Sequence, residues 1–235
     1  MNTDNTARGE KLKPEKTSTL TPLINTGTFL SREEWQALHR QHLELTNSSD
    51  CDILLLGDSI LYGWQWPGRP QIWKRHFDQH KTLNFAISGD YIQHLLWRVE
   101  NGTIDKLSPD LIILLIGANN LDEYTEKEIS KGVMKLLNRL KRLCPASRLI
   151  LTGLFPRGAE ANTPVRHKII SINKILENLA DGERIYFHNP GELLLETDGS
   201  MSRKMFYDFS HPNIAGYAKW AELLEEFISR ISGST

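Results

Sequence analysis

Cysteine is scarce in this chain: only Cys51 and Cys144, far apart, among 235 residues. They form no zinc or redox spacing. Two free thiols in a reducing compartment are the favoured expectation, with a disulfide as the alternative. Cys51 precedes an apolar run and Cys144 ends a helical pattern, so both read as structural. Long apolar runs are also missing, and none approaches the ~20 residues of a membrane span. Residues 1–28 are polar, rich in Thr, Lys and Asn, without the apolar core of a signal peptide. They are expected to form a disordered tail, leaving one domain over 29–232 and a cytoplasmic location by default. Neither sign of charge dominates: 28 basic residues stand against 29 acidic ones, for a net −1. The basic residues are scattered. Nucleic acid and anionic membranes are therefore not the expected partners. There is no internal repeat and no long linker.

What the chain does have is enough length for one α/β domain with a sizeable core. Its 40% hydrophobic and 24% charged residues are ordinary for a globular protein. Short apolar runs occur at Ile53–Leu56, Thr82–Phe85, Leu111–Ile116, Arg148–Thr152 and Arg184–Phe187. The third is apolar throughout, as a strand covered on both faces requires. Amphipathic patterns lie between and after them: Ile129, Val133, Leu136, Leu137, Leu140, Leu143; then Val165, Ile169, Ile172, Leu176, Leu179; then Trp220, Leu223, Leu224, Phe227, Ile228, Ile231. An earlier helix is expected near Ser31, with Glu34 completing a capping box. Strands separated by helices predict βαβ units and a parallel sheet. Ligands of such sheets bind beyond the carboxyl ends of the strands.

Four polar clusters fall at such places. Gly57-Asp58-Ser59-Ile60 follows the first run, where a tight turn can present the Ser59 hydroxyl; the alternative is a plain turn in which Asp58 or Ser59 caps a helix. Asp208-Phe209-Ser210-His211-Pro212 precedes the last helix. Serine needs a base to act as a nucleophile, histidine titrates in the right range, and a carboxylate orients it. Pro212, with His211 or Ser210 as cap, also fits a helix start. Gly89, within Ala86–Asp90, can offer a backbone N–H, and Asn119, within Gly117–Asn120, a side-chain amide. With the N–H of Ser59 these would hold an oxyanion. The G-x-S-x-G elbow is absent, since Ile60-Leu61 follow Ser59.

Together and in this order, Ser59, Gly89, Asn119 and Asp208 with His211 resemble the four blocks of the SGNH (GDSL-type) hydrolase superfamily. A closer resemblance is to the catalytic α subunits of intracellular platelet-activating-factor acetylhydrolase Ib. It is carried by Asn84-Phe85-Ala86, Gly89-Asp90, His94–Arg98 with Asn101-Gly102, Gly117–Asn120 and Leu154–Gly158, and runs from about Trp35 to Ile231. It implies a flavodoxin-like three-layer α/β/α fold on a parallel five-stranded sheet. It further implies no metal or other cofactor, hydrolysis of short acyl esters, acetyl above all, and a homodimer. Asn120 stands where many superfamily members carry Asp, as it does in the acetylhydrolase subunits.

The expected activity is therefore that of a serine esterase working through an acyl-enzyme. Ser59 attacks, His211 is the base, Asp208 orients it, and Ser59, Gly89 and Asn119 form the oxyanion hole. The partner is a small acyl ester, lipid or acetylated sugar. A carbohydrate O-acetylesterase on the same triad is the alternative, and a non-catalytic binding or assembly module of the same fold is a third reading. The segment Leu61–Pro70 is longer and more aromatic than in the family. Its Trp64 and Trp66 either line the substrate pocket or pack the loop. Asp58 is expected to organise its turn, Ser88 and Asp90 to brace the Gly89 loop, and His94 and Trp97 to pack a helix face. Arg157 reaches the cleft or pairs with a carboxylate. His39, His42, His76, His80, His167 and His188 show no partner pattern and are expected at the surface or satisfied in the core.

Overall fold

A computed structural model describes residues 17–27 and 29–233. Five strands, β1 (Ile53–Gly57), β2 (Thr82–Asn84), β3 (Leu111–Leu115), β4 (Arg148–Thr152) and β5 (Ile185–His188), form one sheet. All neighbouring strands are parallel and their order is β2-β1-β3-β4-β5. Residues alternate between the two faces as a strand period of two demands. Leu54, Leu56, Ile112, Leu114, Leu149 and Leu151 enter one buried cluster; Ile53, Leu55, Leu111, Ile113, Leu115 and Ile150 enter the other. The first cluster is covered by α4 (Ile92–Glu100), α5 (Glu126–Leu143) and α6 (Pro164–Glu177), the second by α3 (Arg69–Phe77) and α7 (Ile214–Ser232). This is the expected three-layer α/β/α sandwich. Among the described residues no helix is long and apolar enough to cross a membrane.

Capping sets the helix starts. Ser31 and Glu34 close a reciprocal box on α1 (Arg32–Ser48), and Thr125 with Glu128 does the same on α5. Thr163 caps α6, with Pro164 in the first turn. The α7 cap is Asn213, not His211 or Ser210, so the helix start makes no claim on the histidine. Leu179 lies past the end of α6, while Leu223 and Ile228 are only half-buried on α7. Cys51 and Cys144 are free and buried, and burial pushes the Cys51 thiol up to about 11.

The tail expected over 1–28 overlaps residues that the structure describes. Residues 17–27 are laid along α4 and α5: the Thr19 hydroxyl donates to the Glu128 carbonyl at 2.7 Å, and the Leu23 N–H to the Gln93 carbonyl at 3.0 Å. Thr19 and Asn25 are buried. Polar composition hides this, because the segment docks through hydrogen bonds rather than an apolar stripe. Residues 1–16 lie outside the described residues.

In this strand order the chain leaves β1 toward one face and β2 toward the other, so a crevice opens at the carboxyl ends of β1 and β3. Gly57 and Leu115 are paired there. A Cβ on Gly57 would stand 2.0 Å from the Leu115 carbonyl oxygen, so only glycine lets the strands meet.

Candidate active site

The crevice is a cleft of about 410 Å³. Ser59 comes to it from β1: the strand ends at Gly57, and α2 (Ser59–Tyr62) starts at once with Asp58 as its cap. Asp58 organises the turn, its Oδ1 accepting the Ile60 N–H at 3.1 Å. Burial, with Asp90 nearby, pushes its carboxyl up to about 7. Ser59 is thereby the first residue of a helix, its N–H at the positive end of the turn's dipoles.

Asp208 and His211 arrive on the loop before α7. That loop is pinched shut by an antiparallel bridge between Phe206 and Pro212 and by the Asn213 N–H donating to the Met205 carbonyl at 2.8 Å. Phe209 takes a φ of +57°, unusual for an aromatic residue. This bend folds the loop onto its own carboxylate. Asp208 Oδ1 accepts the N–H groups of Ser210 at 3.0 Å and His211 at 2.7 Å, while Oδ2 lies 2.8 Å from His211 Nδ1. Burial pushes the Asp208 carboxyl up, but these hydrogen bonds and the facing imidazole outweigh it and hold the group below its ordinary value. An ionised Asp208 keeps the ring proton on Nδ1. Nε2 then accepts from the Ser59 hydroxyl, 2.8 Å away. Ser59, His211 and Asp208, up to 152 positions apart in sequence, form one hydrogen-bonded chain.

Gly89 and Asn119 follow β2 and β3 and line the same cleft with Ser59. One N–H of the Asn119 amide donates to the Asp90 carbonyl at 2.8 Å, which aims the group and leaves its second N–H for a substrate oxygen. Behind them Asp90 is fully buried: Arg98 Nε and Nη2 donate to its Oδ2 at 3.0 and 2.7 Å, and Trp35 Nε1 to its Oδ1 at 2.7 Å. Ser88 is buried at the cleft wall. Asn120 lies beneath, its Oδ1 accepting the Ile92 N–H at 3.1 Å, so it satisfies the first N–H of α4. His94 and Trp97 pack against Trp35 on the helix face.

The two tryptophans after the nucleophile part company. Trp64 is a core residue, 3% exposed, with ring centroids 4.6 to 5.1 Å from Tyr217, Trp73 and Trp220. Of its two alternatives, pocket or packing, Trp64 takes packing: α3 and α7 claim its ring. Trp66 does line the cleft, 5.9 Å from the His211 ring. The Arg69 guanidinium sits 4.6 Å from its centroid and 4.5 Å from that of Tyr217, a cation–π sandwich that fixes Trp66. Arg157 fulfils both of its alternatives, lining the cleft and pairing with Asp122. Among the other histidines, His76 pairs with Glu225, and His39, His42 and His188 are buried against aromatic rings.

Three cleft residues escaped the sequence reading. Tyr207 stacks on His211 at 5.6 Å, and adjacency to Asp208 was its only signal. Phe29 lines the mouth from the short stretch between the expected tail and α1, where no pattern marked it. Ile60 lines the floor, masked by its role as an ordinary helix residue.

Such a constellation can deprotonate a serine hydroxyl and stabilise an oxyanion, which is what acyl transfer needs. A profile of the GDSL-like Lipase/Acylhydrolase family matches residues 55–219. Over 200 residues the chain is 31% identical to the platelet-activating factor acetylhydrolase IB subunit beta homolog of Drosophila melanogaster, covering 85% of this chain and 87% of that one. It is 28% identical to the human alpha1 subunit, covering 84% of each. The crystal structure of a GDSL-like lipase from Bacteroides thetaiotaomicron superposes with a TM-score of 0.66 at 20% identity, over 82% of this chain and 97% of that one. An acetylxylan esterase from Geobacillus stearothermophilus gives 0.61 at 19% identity, over 78% and 94%.

Proposed function

As a member of the GDSL-like lipase/acylhydrolase family this chain is a hydrolase, and we propose that it is a serine esterase cleaving short-chain acyl esters, acetyl esters first, through an acyl-enzyme. The observation that carries the reading is the unbroken chain from Ser59 Oγ through the His211 imidazole to Asp208, each link 2.8 Å.

Ser59 Oγ attacks the ester carbonyl carbon as its proton passes to His211 Nε2. Negative charge collects on the carbonyl oxygen, facing the N–H groups of Ser59 and Gly89 and the Asn119 amide. Collapse breaks the bond to the alcohol, which leaves with the proton from Nε2. Water then gives a proton to Nε2 and attacks the acyl-enzyme, and the carboxylic acid departs as Ser59 is restored. Acetyl specificity is supported by the names of the acetylhydrolase relatives. The homodimer implied by the resemblance and the cytoplasmic location expected by default belong to this reading too; mass in solution and cell fractionation test them.

Hydrolysis of p-nitrophenyl acetate should be present in the wild type and lost in Ser59→Ala. Wild-type rates in that variant would overturn the assignment. A fluorophosphonate probe should label Ser59; absence of labelling would favour a binding module. A carbohydrate O-acetylesterase is the second reading, favoured by the half-exposed Trp66 ring beside His211, a surface on which a sugar face can stack. Acetylated xylose turned over faster than simple alkyl acetates would select it.

A further inference from the structure

The segment ahead of α1 is tied to the oxyanion loop from both sides. On one side the side chain of fully buried Asn25 faces Asp90, favouring its charged form, and its Oδ1 accepts the Gly27 N–H at 2.9 Å. On the other, Trp35 on α1 donates to the same Asp90 carboxylate at 2.7 Å. Between these two ties stands Phe29, and Asp90 is the residue next to Gly89. The ties therefore fix Phe29 over the loop expected to hold the substrate's carbonyl oxygen. A Cβ on Gly89 would fall 2.5 Å from the Phe29 Cβ, so the loop and the aromatic residue are fitted to each other. Further back, Lys135 Nζ donates to the Leu20 carbonyl at 2.6 Å and anchors the segment on α5.

Although held in this way, Phe29 is 68% exposed and lines the cleft. One exposed aromatic residue is unremarkable by itself. An anchored one at the mouth of the cleft holding the nucleophile is placed to be covered by what binds there.

Geometry says which part of a substrate reaches it. A carbonyl carbon on Ser59 Oγ directs its oxygen to Gly89 and Asn119. Its leaving oxygen must lie beside His211 Nε2 to collect the proton. A short acyl group is small enough to be covered by Ile60 and Ala118, which also line the cleft. The alcohol portion is then the part that runs out through the mouth, past Phe29 on the oxyanion-loop side and Trp66 on the imidazole side.

We propose that Phe29 is a specificity residue for the alcohol portion of the ester, and that this portion has an extended apolar body. The proposal deepens the esterase reading and rests on it. The test compares ethyl acetate with hexyl acetate, which share an acyl group and have leaving alcohols of similar acidity, by titrating the acetic acid released. The wild type should favour hexyl acetate in kcat/KM. Phe29→Ala should lower kcat/KM for hexyl acetate about fivefold through KM, and leave ethyl acetate within twofold. Phe29→Leu should restore most of the loss. Equal loss on both substrates, no loss on either, or a wild type indifferent to alcohol length would overturn the proposal. Ser59→Ala separates the two failures: if it retains wild-type acetate release, the esterase reading fails; if it is inactive while Phe29→Ala affects both substrates alike, only the role of Phe29 fails.

Discussion

Asp208 does three things with one carboxylate. It accepts two backbone N–H groups that fold its loop, and it faces His211 Nδ1. Held below its ordinary value, it stays ionised across neutral pH and fixes the imidazole tautomer. Asp208→Asn separates these roles. The amide oxygen can still accept the backbone N–H groups, so the loop should keep its shape. The charge that stabilises an imidazolium is gone, and an amide N–H can face Nδ1 and put the ring proton on Nε2. We expect kcat on p-nitrophenyl acetate to fall by about 10⁴, the scale of removing the orienting charge from such a triad. Circular dichroism should be unchanged. A fall of only a few-fold would mean that His211 does not depend on Asp208.

At the scale of elements, the closest fit is β1 against β3. Gly57→Ala would put a methyl group 2.0 Å from the Leu115 carbonyl oxygen, and the strands would have to separate or bend. Overpacking of this kind costs about 1–3 kcal/mol, readable as a lower urea midpoint. Because Ser59 is two residues further on, turnover should fall more than stability alone explains. Thr125→Ala, which removes the cap of α5 at a residue outside the cleft lining, should cost about 1 kcal/mol and spare turnover. Helix and strand periods were legible because they are local. The five runs became the five strands, and Ser31 with Glu34 marked the start of α1. The residues at the strand ends were legible as candidates for the same reason. What stayed hidden depended on distant partners. Trp64 and Trp66 are two positions apart, and Tyr217 and Trp220, about 150 residues away, join Trp73 in burying the first of them. Asn25 looked like tail because its partner, Asp90, is 65 positions on.

Across the whole molecule the charge balance hides a marked dependence on acid. Burial, aided by neighbouring cations, lowers His39 to about 4, His42 to about 2, His94 to about 3 and His188 to about 4, against an ordinary 6.5. Well above pH 6.5 these rings are neutral in both folded and unfolded chains and contribute no slope. Below it the unfolded chain takes up protons that the folded one refuses, so stability falls as pH drops toward the folded values. Asp58 runs the other way. Raised from 3.8 to about 7, it binds its proton in the folded state first and adds stability as pH falls between those values. Asp90, raised by burial, acts in the same direction. Four histidines against two carboxyls leave a net loss, at about 1.4 kcal/mol per pH unit for each uncompensated proton. The urea midpoint should therefore be steady above pH 7 and decline from pH 6.5 to 4.5, before most surface carboxylates titrate. His42 identifies the source. Its ring stacks on Phe85 at 4.5 Å, and its buried Nδ1 has no hydrogen-bond partner among the described residues. His42→Phe keeps an aromatic ring there and removes the titration. That variant should lose stability less steeply over the same range; a wild-type midpoint that does not change with pH, or an unaltered slope in His42→Phe, would show that the buried histidines are not what makes the fold sensitive to acid.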